Sequence, residues 1–364
     1  MMTVKRERIP LMALAILALL LAMWGGLQRS GVFLPVFSAS LPFSHGPLMV
    51  GAFLGTLIGL ERAVARGKWW GYGAPLFCGL GGAALIFGLP GPAGAALISL
   101  GSAVLLAIFA GFMRRQPTLY MGSMALGVLC WIAGNILWLA GEPFYKVVFF
   151  WAGFLIFTIA GERLELSRLL RLTPFKQITF AAAALIILAG VAFSPAQPGW
   201  AIRVFGGGLL LLTAWLYRYD IARRSVRSSG LTRFIAVSLL CGYAWLAIGG
   251  VLALVFGAVF TGLYYDALLH SIFLGFVFSM IFGHAPVIFP AVLGTPMAYR
   301  AAFYSHLALL HLSVALRVAG DLSGWAPGRQ WGAIGNAAAI LLFLANTVIS
   351  AIKAASVKPR TGFR

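Results

Sequence analysis

The chain has 364 residues, of which 61% are hydrophobic and only 10% charged, with a formal net charge of +19. So small a polar fraction excludes a water-soluble globular domain, because too few polar side chains remain to cover its surface. The expected fold is therefore all-α, a polytopic helix bundle in lipid that forms one integral membrane domain over residues 1–364.

About twelve apolar runs are predicted to be transmembrane helices, since about 20 apolar residues cross the hydrocarbon core as a helix. Charged residues, glycine and proline break the runs, as at 114–117, 141–143 and 195–198. The breaks near 89–92 and 261–267 carry little charge, so eleven or thirteen helices are alternatives to twelve. The runs lie near 10–29, 45–60, 70–89, 92–113, 119–140, 147–161, 177–195, 200–217, 234–258, 267–291, 302–319 and 332–352.

The basic residues predict how the chain is oriented, because cytoplasmic loops of membrane proteins collect Lys and Arg. With the N-terminus inside and the loops alternating, 22 of the 27 basic residues fall on the inner side. The expectation is a multi-pass protein of the bacterial inner membrane, with both termini cytoplasmic and contact with anionic lipid. No basic face supports a nucleic-acid partner. The five basic residues expected on the outer side are Arg29, Lys146, Arg203, Arg317 and Arg329.

Three stretches near the inner ends of the second, sixth and tenth runs resemble one another. They are FLGTLIGLE (53–61), FLIFTIAGE (154–162) and FVFSMIFGH (276–284). Each places a polar residue eight positions after a phenylalanine, and four helices separate one from the next. A fixed spacing of this kind predicts a threefold pseudo-repeat of four helices, although chance explains so short an apolar match about as well.

All five histidines lie in the second, tenth and eleventh runs, where an imidazole is costly without a partner or ligand. His45 and His270 both fall near the outer surface. His284 lies 14 residues after His270, about 21 Å deeper along a helix. His306 and His311, on the returning helix, belong with His284 to an inner layer.

Two neutral imidazoles at one depth on different helices are the arrangement that a bis-histidine haem needs. His45 and His270 are the candidate ligands, and Arg203, Arg317 and Arg329 are candidate partners of the haem propionates. The alternative is that both histidines donate to backbone carbonyls at the membrane surface. For His284, His306 and His311 the alternatives are a second metal or hydrogen bonds between helices.

The stretches 45–60, 267–284 and 309–320 resemble NnrS-type proteins, and the chain is more distantly similar to the main subunit of haem-copper oxidases. The resemblance implies a haem b held by His45 and His270, copper as a further cofactor, and a role in nitric oxide metabolism or electron transfer. It also implies a gaseous ligand, a quinol or another electron donor as partner, and possible oxidoreductase activity. No adjacent His-His pair is present, so oxygen reduction at an oxidase-type copper centre is not expected.

The alternative function is a twelve-helix secondary transporter of a small solute, since many carriers also combine twelve spans with internal repeats. A carrier usually needs a charged group near the centre of the bilayer. All eight acidic residues are expected at helix ends or in loops, which leaves histidine as the only buried ionisable type. This placement favours metal chemistry.

Overall fold

The computed structural model describes residues 5–89, 91–167 and 172–356, and within these ranges it confirms an all-helical membrane bundle. Among the described residues, ten helices are long and apolar enough to cross a membrane. Two further long helices are α3, which has 14 residues, and α11. The helices are α1 (Ile9–Arg29), α2 (Pro47–Arg66), α3 (Gly73–Ile86), α4 (Ala93–Met113), α5 (Leu119–Leu139), α6 (Phe144–Ser167), α7 (Pro174–Phe193), α8 (Pro198–Tyr219), α9 (Gly230–Phe256), α10 (Leu263–Leu293), α11 (Phe303–Ser323) and α12 (Ala326–Ser356).

Two long-range hydrogen bonds mark the two ends of the bundle. The backbone N–H of Lys5 donates to Leu293 at 2.9 Å, which places the start of α1 beside the end of α10. The side chain of Gln330 donates to the carbonyl of Gly31 at 3.2 Å, which places the end of α1 beside the start of α12. We call the end of the bundle where Gln330 contacts Gly31 the His45 end. The end where Lys5 contacts Leu293 is the Glu61 end.

Neighbouring helices approach closely because small residues lie between them, as is usual where lipid supplies no hydrophobic drive for association. The most extensive pairs are α11 with α12, α5 with α6, α7 with α8, and α3 with α4. At Gly161 a Cβ atom would lie 2.6 Å from Met124, and at Gly190 it would lie 2.4 Å from the backbone of Phe205. Alanine at either position would push two helices apart.

The three similar stretches meet at the centre of the bundle. Residues of 53–61, 154–162 and 276–284 line one cavity of about 80 Å³ between α2, α6 and α10. Their final residues, Glu61, Glu162 and His284, all line this central chamber. The three stretches are thus neighbours in space.

Several helices extend further than their apolar runs. The run 147–161 becomes Phe144–Ser167, and the acidic residue Glu162 lies within α6 rather than at its end. The expected break near 89–92 separates α3 from α4, and that near 261–267 separates α9 from α10. Five basic residues assigned to the inner side lie outside the described ranges: Arg168, Arg171, Lys358, Arg360 and Arg364.

Candidate functional site

The structure brings His45 and His270 together at the His45 end. His45 lies just before α2 and His270 lies in the third turn of α10. Their ring centroids are 6.4 Å apart and the ring planes differ by 26°. Two residues separated by 225 positions in the chain therefore form one imidazole pair.

Both imidazoles are held through the same ring nitrogen. Nδ1 of His45 donates to the carbonyl of Ala22 at 2.7 Å, and Nδ1 of His270 donates to the carbonyl of Asp266 at 2.9 Å. A carbonyl oxygen can only accept, so the proton of each neutral ring is on Nδ1. Nε2 of each ring is therefore the nitrogen with a lone pair for a metal ion.

The alternative prediction, that both histidines donate to backbone carbonyls, is thus correct for Nδ1. It is compatible with metal binding through Nε2. In metal sites, ligating histidines almost always donate their second ring N–H to a carbonyl or carboxylate, which fixes the ring orientation. His45 and His270 both have such an acceptor.

His270 has an additional acidic neighbour. The Oδ2 atom of Asp266 lies 3.2 Å from Nδ1 of His270. The same oxygen accepts from Nε and Nη2 of Arg317 at 3.0 and 2.8 Å. The sequence predicted that Arg317 would contact a propionate. In the structure its two donors instead bind the carboxylate of Asp266, which lies beside His270.

A cavity of about 350 Å³ adjoins the pair, within the usual range for small-molecule sites. Both histidines line it, together with apolar side chains of α2, α6, α10 and α12. Arg29, Arg317 and Arg329 add positive charge. The predicted propionate partner Arg203 is not among the lining residues. It donates instead to the carbonyls of Leu254 and Gly199.

Two functional features were missed at the level of sequence. One is Arg29, which was assigned only to the outer side and lines the cavity. The other is a pair of π-helical segments, Pro47–Leu54 and Ser271–Phe278, each eight residues long. One begins two residues after His45 and the other directly after His270. Such segments occur frequently at functional sites, but their residues show no distinctive period.

The inner histidines are not brought together, and within the described ranges no three His, Cys, Asp or Glu side chains meet in a way that could hold a metal ion. Nε2 of His284 accepts from Arg163 at 3.4 Å, and its Nδ1 donates to the carbonyl of Met280 at 2.7 Å. Nδ1 of His311 accepts from the indole N–H of Trp245 at 3.0 Å. Both histidines make hydrogen bonds between or within helices.

His306 is enclosed by aromatic rings. The amide of Asn346 donates to its Nδ1 at 3.1 Å, so the ring proton is on Nε2. Four phenylalanine rings surround the imidazole, with centroids between 4.8 and 5.9 Å from it. Nε2 of His306 is buried in this aromatic pocket and has no hydrogen-bond partner within the described part of the chain. The rings belong to Phe234, Phe282, Phe303 and Phe343.

The expectation that histidine is the only buried ionisable type is wrong. Arg163 is 2% exposed and Asp220 is 3% exposed, and they form a bidentate pair at 2.9 and 3.0 Å. Asp321, near the end of α11, is also buried. Each of these charges has an opposite charge beside it, which is the usual condition for burial and is not visible in a linear sequence.

The described fold has a solved counterpart. A cryo-EM structure of a haem-copper terminal oxidase dimer matches 97% of this chain and 84% of that chain, with a TM-score of 0.58 and 14% sequence identity. At this identity the match establishes a shared fold. No curated protein matches the sequence. The family model described as "Domain of unknown function (DUF8744)" matches residues 8–352, and the chain therefore belongs to this family.

Proposed function

We propose that this protein binds a haem b between His45 and His270 and transfers electrons within the membrane. The observation that carries the proposal is the imidazole pair beside a 350 Å³ cavity, with ring centroids 6.4 Å apart. The oxidase-like fold supports it, because the structural neighbour is described as a haem-copper enzyme.

The separation of the rings fits coordination of one iron ion. A metal–imidazole bond is about 2.0 Å long and a ring centre lies about 1.2 Å behind its nitrogen, so two imidazoles that hold one ion would have ring centroids at most about 6.4 Å apart. The observed separation of 6.4 Å lies within this limit. The anionic propionates would find Arg29 and Arg329 beside the cavity.

The residues of the chain have distinct tasks in this proposal. The carbonyls of Ala22 and Asp266 fix the two ring orientations. The Asp266 carboxylate, held by Arg317, adds negative charge behind His270. When bound, a haem would be held by His45 and His270 and would supply one-electron transfer.

The biological setting follows from the resemblance to NnrS-type proteins. We propose an NnrS-type role in the response to nitric oxide, in which this protein supplies or accepts electrons in the bacterial inner membrane. A quinol or a partner protein would be the electron donor. The residues present do not fit copper, because the three inner histidines lie in separate environments.

Absorption spectroscopy of the purified protein tests the proposal. The wild type should show a Soret band that sharpens on reduction, together with resolved alpha and beta bands. His45→Ala and His270→Ala should each abolish or convert this spectrum, because each removes one ligand. His306→Ala is the matched control and should leave the spectrum unchanged, because that ring contacts Asn346 and phenylalanines.

Two outcomes would reject the proposal. Unchanged spectra in both His45→Ala and His270→Ala would show that these histidines do not bind the haem. A colourless wild type from cells supplied with haem precursor would show that no haem is bound and would favour the transporter alternative.

A further inference from the structure

The connection between α1 and α2 is a loop whose apolar side chains are exposed. It covers residues 31–43, with the sequence GVFLPVFSASLPF. Phe33 is completely exposed, and Val36, Phe37 and Phe43 are between 68% and 73% exposed. Exposed apolar side chains that lie this close together usually mark a surface that contacts another protein or a membrane.

The loop turns back along the side of α1. The indole N–H of Trp24 and the amide of Gln28 donate to the carbonyl of Pro35 at 3.0 and 3.2 Å. Leu41 also lies against α1, since a Cβ atom at Gly25 would be 2.6 Å from its carbonyl oxygen. Trp24 comes five residues before the end of α1, about 7.5 Å along the helix axis. The loop therefore lies beside the last turns of a helix that is long and apolar enough to cross the membrane.

Exposed tryptophans indicate the level of the membrane surface at this end of the bundle. Trp325 and Trp331, near the start of α12, are both more than half exposed. Tryptophan is enriched at the interface between membrane and water. The loop begins at the same level, because Gln330 donates to the carbonyl of Gly31. The interfacial layer accepts irregular backbone, which the hydrocarbon core does not.

The apolar surface of the loop continues the lipid-facing side of α1. Leu17, Leu20 and Trp24 are three and four residues apart, so they share one face of the helix. Both leucines are exposed, and the ring of Trp24 contacts the ring of Phe37 with centroids 4.9 Å apart. No Asp, Glu, Lys or Arg occurs in residues 30–60. A protein interface usually has a polar rim, so a surface without charge that extends a lipid-facing helix fits lipid better.

We propose that the loop 31–43 is an interfacial anchor that inserts Phe33, Val36 and Phe37 into the lipid leaflet at the His45 end. The partner is the bilayer, through the boundary between its headgroups and acyl chains. Phe43, at the end of the loop, lines the histidine cavity, so the anchor would connect one wall of that cavity with the membrane surface. The anchor does not depend on haem binding.

Spin labels on single cysteines test the position of the loop in lipid nanodiscs. The variants are Phe33→Cys and Phe37→Cys in a Cys241→Ser background, since Cys78 and Cys130 are buried. Collisions of the label with oxygen, which dissolves in lipid, are compared with collisions with the neutral, water-soluble complex of nickel and ethylenediaminediacetate. At both positions the ratio of oxygen to nickel collisions should be well above that of a label in water.

Two further labelled positions supply the reference environments. Leu185 is exposed near the middle of α7, and Ser228 is exposed in the connection between α8 and α9. The loop labels should have a ratio well above that of Ser228→Cys and no higher than that of Leu185→Cys, because the loop is shallower than the middle of α7. A ratio equal to that of Ser228→Cys would place the loop in water and reject the proposal. Labels shielded from both reagents would show that protein covers the loop, which would also reject it.

A pair of double variants tests whether the aromatic side chains hold the loop in lipid. With a label at Val36→Cys, Phe33→Glu/Phe37→Glu should shift collisions from oxygen toward nickel, because a carboxylate is costly in lipid. Phe33→Leu/Phe37→Leu keeps apolar side chains and should leave the ratio unchanged. Equal ratios in the two double variants would contradict the anchor, since the apolar character of these positions would then not matter.

Discussion

At the scale of single residues, the two candidate ligands differ in what stands behind them. Nδ1 of His45 faces a neutral carbonyl, whereas Nδ1 of His270 faces both a carbonyl and the Asp266 carboxylate. A carboxylate behind a ligating imidazole raises the basicity of the ligand and favours the more positive oxidation state of the metal. The Asp266–Arg317 pair is therefore expected to tune the site through His270.

Asp266→Asn tests this tuning. The amide keeps the shape of the side chain but removes its negative charge, so His270 becomes a weaker donor to iron. We expect haem affinity to fall about 10- to 100-fold, as is usual for lost partners of metal ligands, and the reduction potential to rise. Redox titration and haem binding measure the two effects.

The control for Asp266→Asn is Glu142→Gln. Glu142 pairs with Lys146 at 2.8 Å near the surface and does not line the cavity. This variant should bind haem with wild-type affinity and potential. An Asp266→Asn protein with the wild-type potential would show that the carboxylate does not act through His270.

At the scale of helices, α1 supplies part of the histidine site although it carries no ligand. Its Ala22 carbonyl holds His45, and a Cβ atom at Gly26 would lie 2.7 Å from Cε1 and 2.8 Å from Nδ1 of that ring. The absence of a side chain at Gly26 therefore leaves the space that the imidazole occupies. This is a requirement for close approach, since the residue is helical.

Gly26→Ala should displace the His45 ring and abolish or convert the haem spectrum while the bundle still folds. The matched control is Gly207→Ala on α8, where a Cβ atom meets nothing within 4 Å. Alanine favours a helix over glycine by about 1 kcal/mol, so the control should fold at least as well as the wild type. A normal spectrum in Gly26→Ala would show that the ring position is not critical.

Helix positions could be predicted from the sequence because lipid imposes long apolar runs with clear breaks. The pairing of His45 with His270 was also accessible, since alternating helices place both at one end. The π-helical segments were not, because Pro47–Leu54 and Ser271–Phe278 are apolar apart from Ser271 and show no pattern that differs from an α-helix. The contact of Asp266 with His270 could have been predicted, because residues four apart are neighbours on a helix face. Its contact with Arg317 could not, because Arg317 lies 51 positions away in the chain.

At the scale of the whole molecule, arginines at the Glu61 end link α2, α6 and α10, the helices that carry the three similar stretches. Arg62 of α2 donates to Glu162 of α6, and Arg163 of α6 donates to His284 of α10. Arg163 also holds Asp220 after α8. The links surround the central chamber, so charged pairs at this end fix the same three helices whose other ends flank the histidine cavity.

These links are expected to differ in strength because their burial differs. The side chains of Arg163 and Asp220 are 2% and 0% exposed, whereas the Glu162 side chain that Arg62 contacts is 22% exposed. Removing one partner of a fully buried pair typically costs about 3–5 kcal/mol, because the other charge is left without compensation. Arg163→Met should therefore lower the thermal unfolding midpoint in detergent more than Arg62→Met.

The double variant Arg163→Met/Asp220→Asn separates the loss of the pair from the cost of an uncompensated charge. It should unfold at a higher temperature than Arg163→Met alone, because the buried carboxylate that the single variant strands is gone. Equal midpoints for Arg163→Met and Arg62→Met would mean that burial does not decide the strength of these links. The links at the Glu61 end would then contribute similar stability whatever their burial.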